Sequence, residues 1–164
     1  MLYGVTAASA ADTATVEMRS LMPSGDPAAG IVTLTDTSSG LSMTVDVPKL
    51  SSGEHGFHVH QNGDCGPGDD KGKIKPGFAA GPHFDPAKSG HHLGPTGGGH
   101  GGDLPKLVMA DGKSSTTPLI APKLKLADVR GRSLMIHEGG DNYSDNPENG
   151  GGAGRLMCGV IPKS

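Results

Sequence analysis

Residues 56–60 read GFHVH, and Cys65, one of only two cysteines in the chain, follows shortly after. Side chains at i and i+2 of a β-strand share a face, roughly 7 Å apart along the backbone. His58 and His60 therefore face one way, and Phe57 and Val59 the other. Two imidazoles on one face make either an ordinary polar strand surface or half of a metal site. The chain has eight histidines, and the remaining ones decide between these readings.

The composition frames that stretch. At 164 residues the chain has the length of one domain with a real core. Aromatics make up 3%, and 28 glycines and 13 prolines are too many breakers for a helical bundle. Such a composition indicates short strands joined by long, shaped loops. The formal charge of −3 argues against nucleic acid or an anionic membrane as partner, and leaves room for a local positive funnel. No apolar stretch approaches the roughly 20 residues of a membrane span. Residues 1–10, MLYGVTAASA, end in a small-x-small pattern like the end of a signal peptide, although the apolar part is short. We set residues 1–12 apart as a disordered leader remnant and place the domain at 13–164. The two cysteines alone cannot be paired from sequence. A bridge would close a long loop and indicate an oxidising compartment, and unpaired core thiols are the alternative.

Thr15 to Leu21 and Ile31 to Thr35 are rich in β-formers and flank MPSGDPAAG, which reads as a hairpin. Leu41, Met43, Val45 and Val47 alternate with polar residues up to Pro48, as in a half-buried strand. Gly53 to Gln61 is the next expected strand. Residues 62–103 show no sustained periodicity, and so long a loop needs something else to order it, such as metal or a disulfide. Leu104 to Ala110 and Ser114 to Ile120, joined through DGK, read as a second hairpin. Ser133 to His137 and Arg155 to Ile161 are the last strands. PKLKLADVR, residues 122–130, has room for a helical turn or two at most. About eight short strands without a confident helix indicate an all-β sandwich or barrel.

A second histidine cluster lies in GPHFDPAKSGHHLGPTGGGHGGD, with His83, His91, His92, His100 and Asp103. Several imidazoles and a carboxylate gathered by a glycine-rich loop are the donors a tetrahedral zinc site uses. A phosphate cradle is the competing reading, but no GK[ST] follows. His137, in LMIHEGGD, sits on the strand face opposite Leu134 and Ile136. Alone it reads as a satisfied core or surface histidine; with His58 and His60 it can complete an imidazole-rich copper site.

GFHVHQNGDC, GPHFDP, HHLGP, HGGDLP, MIHEGGDNYSD and GRLMCGVI occur in the order, and nearly the spacing, of the copper,zinc superoxide dismutases. The chain resembles that family from residue 56 to 161, and its GGDNYSD loop resembles the bacterial periplasmic branch. The resemblance implies an eight-stranded Greek-key β-barrel with long metal-binding and electrostatic loops. It implies dismutation of superoxide to oxygen and hydrogen peroxide by a copper that is alternately reduced and oxidised, with one copper and one zinc per subunit. Carried over residue by residue, it makes His58, His60, His83 and His137 the copper ligands. His83, His92, His100 and Asp103 become the zinc ligands, with His83 shared. His92 is preferred to His91 because the family's ligand directly precedes the LGP-type turn. His55 matches no ligand and is read as a surface residue. Asp141 matches the carboxylate that links a histidine of each metal, here His58 and His92. Cys65 and Cys158 match the family's disulfide, and Arg155 matches the arginine beside the open copper position.

The resemblance also implies a periplasmic location and superoxide as substrate. It leaves homodimer and monomer both open, because LGPTGGG lacks the aromatic that some bacterial relatives place at the dimer contact. Lys71, Lys73 and Lys75 form a basic stretch that we read as steering superoxide, with a solvated loop as the plainer alternative because Asp69 and Asp70 adjoin it. Rival readings are a metal-binding protein without turnover, a zinc hydrolase, and a structural fold holding zinc at both sites. A hydrolase would need an open zinc position, which four protein ligands would close. NYS at residues 142–144 fits a glycosylation sequon but lies in the loop assigned to the metal site.

Overall fold

The computed structural model describes residues 11–25, 27–110 and 117–164. The leader reading of residues 1–10 lies outside them, as do the expected DGK connection at residues 111–113 and the start of the strand expected from Ser114. Residues 11 and 12 are described, and Asp12 is tied down: its carbonyl accepts from Asp36 N, and its carboxylate accepts from Arg130 Nη2 at 2.9 Å.

Eleven strands form the described chain: β1 (Thr13–Ser20), β2 (Gly30–Thr37), β3 (Gly40–Asp46), β4 (Gly53–His55), β5 (Phe57–His60), β6 (Gly68–Asp70), β7 (Lys73–Lys75), β8 (Leu107–Met109), β9 (Leu119–Ala121), β10 (Ser133–His137) and β11 (Arg155–Val160). Seven of them make one curled antiparallel sheet in the order β5-β10-β11-β1-β2-β3-β9, and β4 pairs with β8. The last strand thus pairs with the first in the middle of the curled sheet, consistent with a Greek-key β-barrel. The expected β1–β2 hairpin forms, with Val16 opposite Val32. The one α-helical turn among the described residues, α1 (Leu126–Val129), falls inside residues 122–130.

Three expectations change. Gly53 to Gln61 is not one strand: it breaks at Gly56, whose N–H donates to Gly139 O and whose carbonyl accepts from His137 N. The chain thereby passes from the β4–β8 ladder to the main sheet. The second hairpin does not pair internally among the described residues, since β8 lies on β4 and β9 on β3. The long loop after β5 contains a small hairpin, β6–β7, and a 3-10 turn at Phe78–Ala80, both too short to give a periodic signal.

Period-2 alternation builds the core. In β1, Ala14, Val16 and Met18 are buried while Thr13, Thr15 and Glu17 are exposed. In β5 and β10 every residue is buried, because loops cover the face turned away from the barrel interior. Phe57, Val59, Leu134 and Ile136 fill the core. Met135 packs on the other face with Cys65, Ala80 and Cys158. Register places Met135 opposite both His58 and Cys158, so a histidine row and the disulfide share that outer face.

A β-bulge then decides where Arg155 points. Ile136 pairs with Met157, but His137 pairs with Arg155, so Leu156 is the extra residue. Without it, Leu156 would take the outer face beside His137 and Arg155 would turn toward the core. The bulge delivers the arginine to the histidine face.

Cys65 and Cys158 are bonded, with a sequence separation of 93. The bond pins the loop carrying the 3-10 turn to β11, three residues from Arg155. By loop-closure entropy, the Cys65→Ser/Cys158→Ser double variant should lose roughly 4 to 5 kcal/mol of unfolding free energy. Urea denaturation of the metal-free proteins in oxidising buffer reads this directly, and equal midpoints would refute it.

Candidate metal centre

Two strands and one long loop bring the histidines together. β5 supplies His58 and His60, β10 supplies His137, and the loop between β7 and β8 supplies His83, His92, His100 and Asp103. The nitrogens of His58, His60, His83 and His137 lie within 4.8 Å of one another. The ligand atoms of His83, His92, His100 and Asp103 form a second set within the same limit, as do those of His58, His92 and Asp141. His83 belongs to both of the first two sets, so the centre consists of two adjoining pockets sharing one ring.

Outward hydrogen bonds fix the orientation of His58, His60 and His92, and with it the nitrogen that each turns inward. His60 Nδ1 donates to Gly81 O at 2.8 Å, leaving Nε2 inward, 3.3 Å from His137 Nε2. Asp141 accepts from His58 Nε2 and His92 Nε2, each at 2.8 Å and one on each oxygen, which turns both Nδ1 atoms inward. His92 Nδ1 then lies 2.9 Å, and His83 and His100 Nδ1 each 3.2 Å, from Asp103 Oδ1.

Two observations show that this donor set suits metal. His58 Nδ1 is buried and has no hydrogen-bond partner, although an orphaned buried nitrogen is costly unless something ligates it. Three imidazole nitrogens converge on one carboxylate oxygen, a nitrogen–oxygen set of the kind that binds zinc tetrahedrally. The four-imidazole set, with no carboxylate, suits copper.

Electrostatics keep most of these rings available. Burial, followed by the neighbouring rings His83 and His137, holds His58 and His60 well below the ordinary imidazole value. Burial lowers His83 and brings His137 down to about 3. These four are neutral at pH 7 and present lone pairs. His92 is the exception: burial opposes its charge, but bonds to Asp103 and Asp141 outweigh burial and lift it to about 9. Burial pushes Asp103 up, and its bonds to His83 and His92 more than reverse that, leaving it far below the carboxylate range. The two shifts share a cause, a buried His92–Asp103 contact whose carboxylate is the charge that a divalent cation would take up in place of the imidazole proton.

The histidine doublet divides cleanly. His92 is fully buried, whereas the His91 side chain is 64% exposed and bonds Asp145 Oδ2 at 2.8 Å. Asp145 Oδ1 also accepts from His92 N at 2.7 Å, so this carboxylate sets the doublet's register. His55 is not at the surface. It is 3% exposed, and its ring spans the carbonyls of His137 and Ser51, at 2.8 and 3.0 Å, bracing β10 behind His137. Sequence reading misses Asp145 because its partners lie more than fifty positions away, and misreads His55 because that histidine stands outside every motif.

Arg155 closes the other side. Its Nη1 donates to Gly77 O and its Nη2 to Gly81 O, each at 2.8 Å. Burial pushes its guanidinium down to about 10, with Asp70 acting in the opposite sense, so it stays charged at neutral pH. It lies with His60, His83 and His137 along a cavity of about 630 Å³ open to solvent. Lys71 and Lys75 line the rim of that cavity with Asp69, Asp70 and Glu148, and Lys73 does not.

A Greek-key β-barrel with a shared histidine between two buried metal-binding pockets, one facing an arginine-lined cavity, defines a two-metal β-barrel protein. The profile described as copper/zinc superoxide dismutase matches residues 28–161. The chain is 52% identical over 155 residues to a superoxide dismutase [Cu-Zn] of Brucella abortus, covering 92% of this chain and 89% of that one. It is 48% identical over 134 residues to the Escherichia coli protein of that name, covering 80% and 78%. The solved Brucella abortus Cu/Zn superoxide dismutase superposes with a TM-score of 0.86 at 51% identity, covering 92% and 99%. The monomeric Salmonella enterica structure gives 0.78 at 43% identity, with the same coverage. The chain belongs to the copper/zinc superoxide dismutase family.

Gly150 covers this centre at a φ of +71°, where an added Cβ would collide with Asp141 Oδ1 and come within 2.8 Å of His92 Nε2. Gly150→Ala should push the carboxylate off both rings and weaken zinc retention about 10- to 100-fold, the usual cost of losing an outer-shell bond. Competition with a chromogenic chelator measures this, and wild-type retention would show that the loop absorbs the methyl group.

Proposed function

We propose that this protein dismutates superoxide, converting two superoxide ions and two protons into oxygen and hydrogen peroxide, with copper held by His58, His60, His83 and His137 and zinc by His83, His92, His100 and Asp103. When bound, copper supplies the one-electron couple, and zinc, which has no redox chemistry, supplies fixed charge and structure. The observation that carries this reading is the position of His83, whose two nitrogens face the two pockets while its ring borders the open cavity. Its Nε2 is the atom at which a proton can be held beside an anion in that cavity. Arg155 binds and orients the anion: each Nη has one N–H committed to a carbonyl and one still to offer, and its charge does not change through the reaction.

Asp141 and His55 act indirectly, by holding His58, His92 and the His137 strand in place. The disulfide fits an oxidising compartment, and with the bacterial relatives it supports our assignment of the protein to the periplasm. No helix among the described residues is long and apolar enough to cross a membrane.

For the lysine stretch, we assign steering chiefly to Lys71. Lys75 borders the cavity too, but its ammonium is bonded to the Asp70 carboxylate, which offsets its field. Replacing Lys71, Lys73 and Lys75 with glutamine should slow the reaction at low ionic strength and leave it unchanged at high salt. An unchanged low-salt rate refutes steering by these lysines.

The central test is dismutase activity of the copper- and zinc-loaded protein. His137→Ala should nearly abolish it, and Arg155→Ala should lower it about tenfold or more, the worth of a charge-assisted hydrogen bond. Absence of activity at full copper occupancy would favour a metal-binding protein without turnover.

A further inference from the structure

The turn that holds Arg155 contains a residue with no part in the chemistry above. Phe78 opens the 3-10 turn between Gly77 and Gly81, which are at φ +74° and +73°. That left-handed geometry aims both glycine carbonyls at the guanidinium. The Arg155 guanidinium carbon lies 4.1 Å from the centroid of the Phe78 ring, and Lys75 Nζ lies 5.4 Å from the same centroid. One ring therefore carries two of the three cations that border the cavity, Arg155 and Lys75.

Resting on the dismutase reading, we propose that Phe78 is a positioning residue for anion capture: its ring holds the Arg155 guanidinium over the cavity without consuming an N–H donor. A carboxylate in that place would hold the arginine more strongly, but it would take up the donors and cancel the charge that an anion needs. An aromatic face attracts the cation through its quadrupole and leaves the N–H groups at the edge of the guanidinium plane available. The setting gives this a purpose. Asp69, Asp70 and Glu148 line the same cavity, and any of them could draw a loosely held guanidinium into an ion pair. Asp70 is already engaged by Lys75, which itself sits on the ring. Removing the ring releases both cations to compete for that carboxylate. The sequence neighbourhood PGFAAG shows none of this, because Arg155 reaches the turn from the other end of the chain.

The test uses the full chain loaded with copper and zinc. Phe78→Leu should lower kcat/KM for superoxide at low ionic strength, and the affinity of the copper(II) protein for azide by optical titration, each about threefold to tenfold, within the range of one cation–π contact. Metal content should be unchanged. Phe78→Tyr, which keeps the ring, should stay within about twofold of wild type on both readouts. In an Arg155→Ala background, Phe78→Leu should cause no further loss, because the ring acts through the arginine. Should the leucine variant fail to retain copper, Phe78→Met takes its place in the same measurements. Wild-type kcat/KM and azide affinity in Phe78→Leu overturn the proposal. So does an equal further loss on the Arg155→Ala background, or a tyrosine variant as impaired as the leucine one. A wild-type protein that binds azide but does not dismutate superoxide would instead defeat the underlying reading, with the azide titrations still deciding the role of Phe78.

Discussion

The metal-binding face depends on the Asp141 carboxylate, which spans two buried imidazoles. One oxygen holds His58 on β5 and the other holds His92 in the loop more than thirty positions away. Asp141 itself belongs to a third segment, the loop after β10. A buried carboxylate with two imidazole donors is satisfied only when all three segments are in place, so the interaction couples their positions. It also fixes which nitrogen each ring turns inward. The two pockets adjoin because the rings that face them share one anchor.

The opposite wall follows a similar logic with different parts. The disulfide fastens the first long loop to β11, and the bulge at Leu156 turns Arg155 to the outer face. The loop's 3-10 turn then receives the arginine through two carbonyls and an aromatic ring. None of these contacts is strong alone at a partly solvated site. Together they hold a charged side chain at the mouth of a cavity without neutralising it, which is what capture of a small anion requires.

Strands with one apolar and one polar face were legible from the sequence because period-2 alternation survives any tertiary context that keeps one face dry. β1, β2 and β3 were of this kind. The break at Gly56 was not legible, since glycine inside a strand pattern reads equally as a bulge, a bend or a tolerated weakness. The β6–β7 hairpin and the pairing of β8 and β9 with β4 and β3 also escaped, because three-residue strands are chosen by their neighbours rather than by their own pattern.

The sequence by itself determined which donors exist and on which strand face the paired histidines lie, because residue type and alternation are local properties. Its ordered motifs were enough to match a family. Only the tertiary structure decided that Asp145 holds the histidine doublet in register, that His55 is a buried brace, and that Arg155, Phe78 and two glycine carbonyls meet. Each of those outcomes depends on partners far away in the chain, and contact between distant residues is settled by packing and register, which no local stretch encodes.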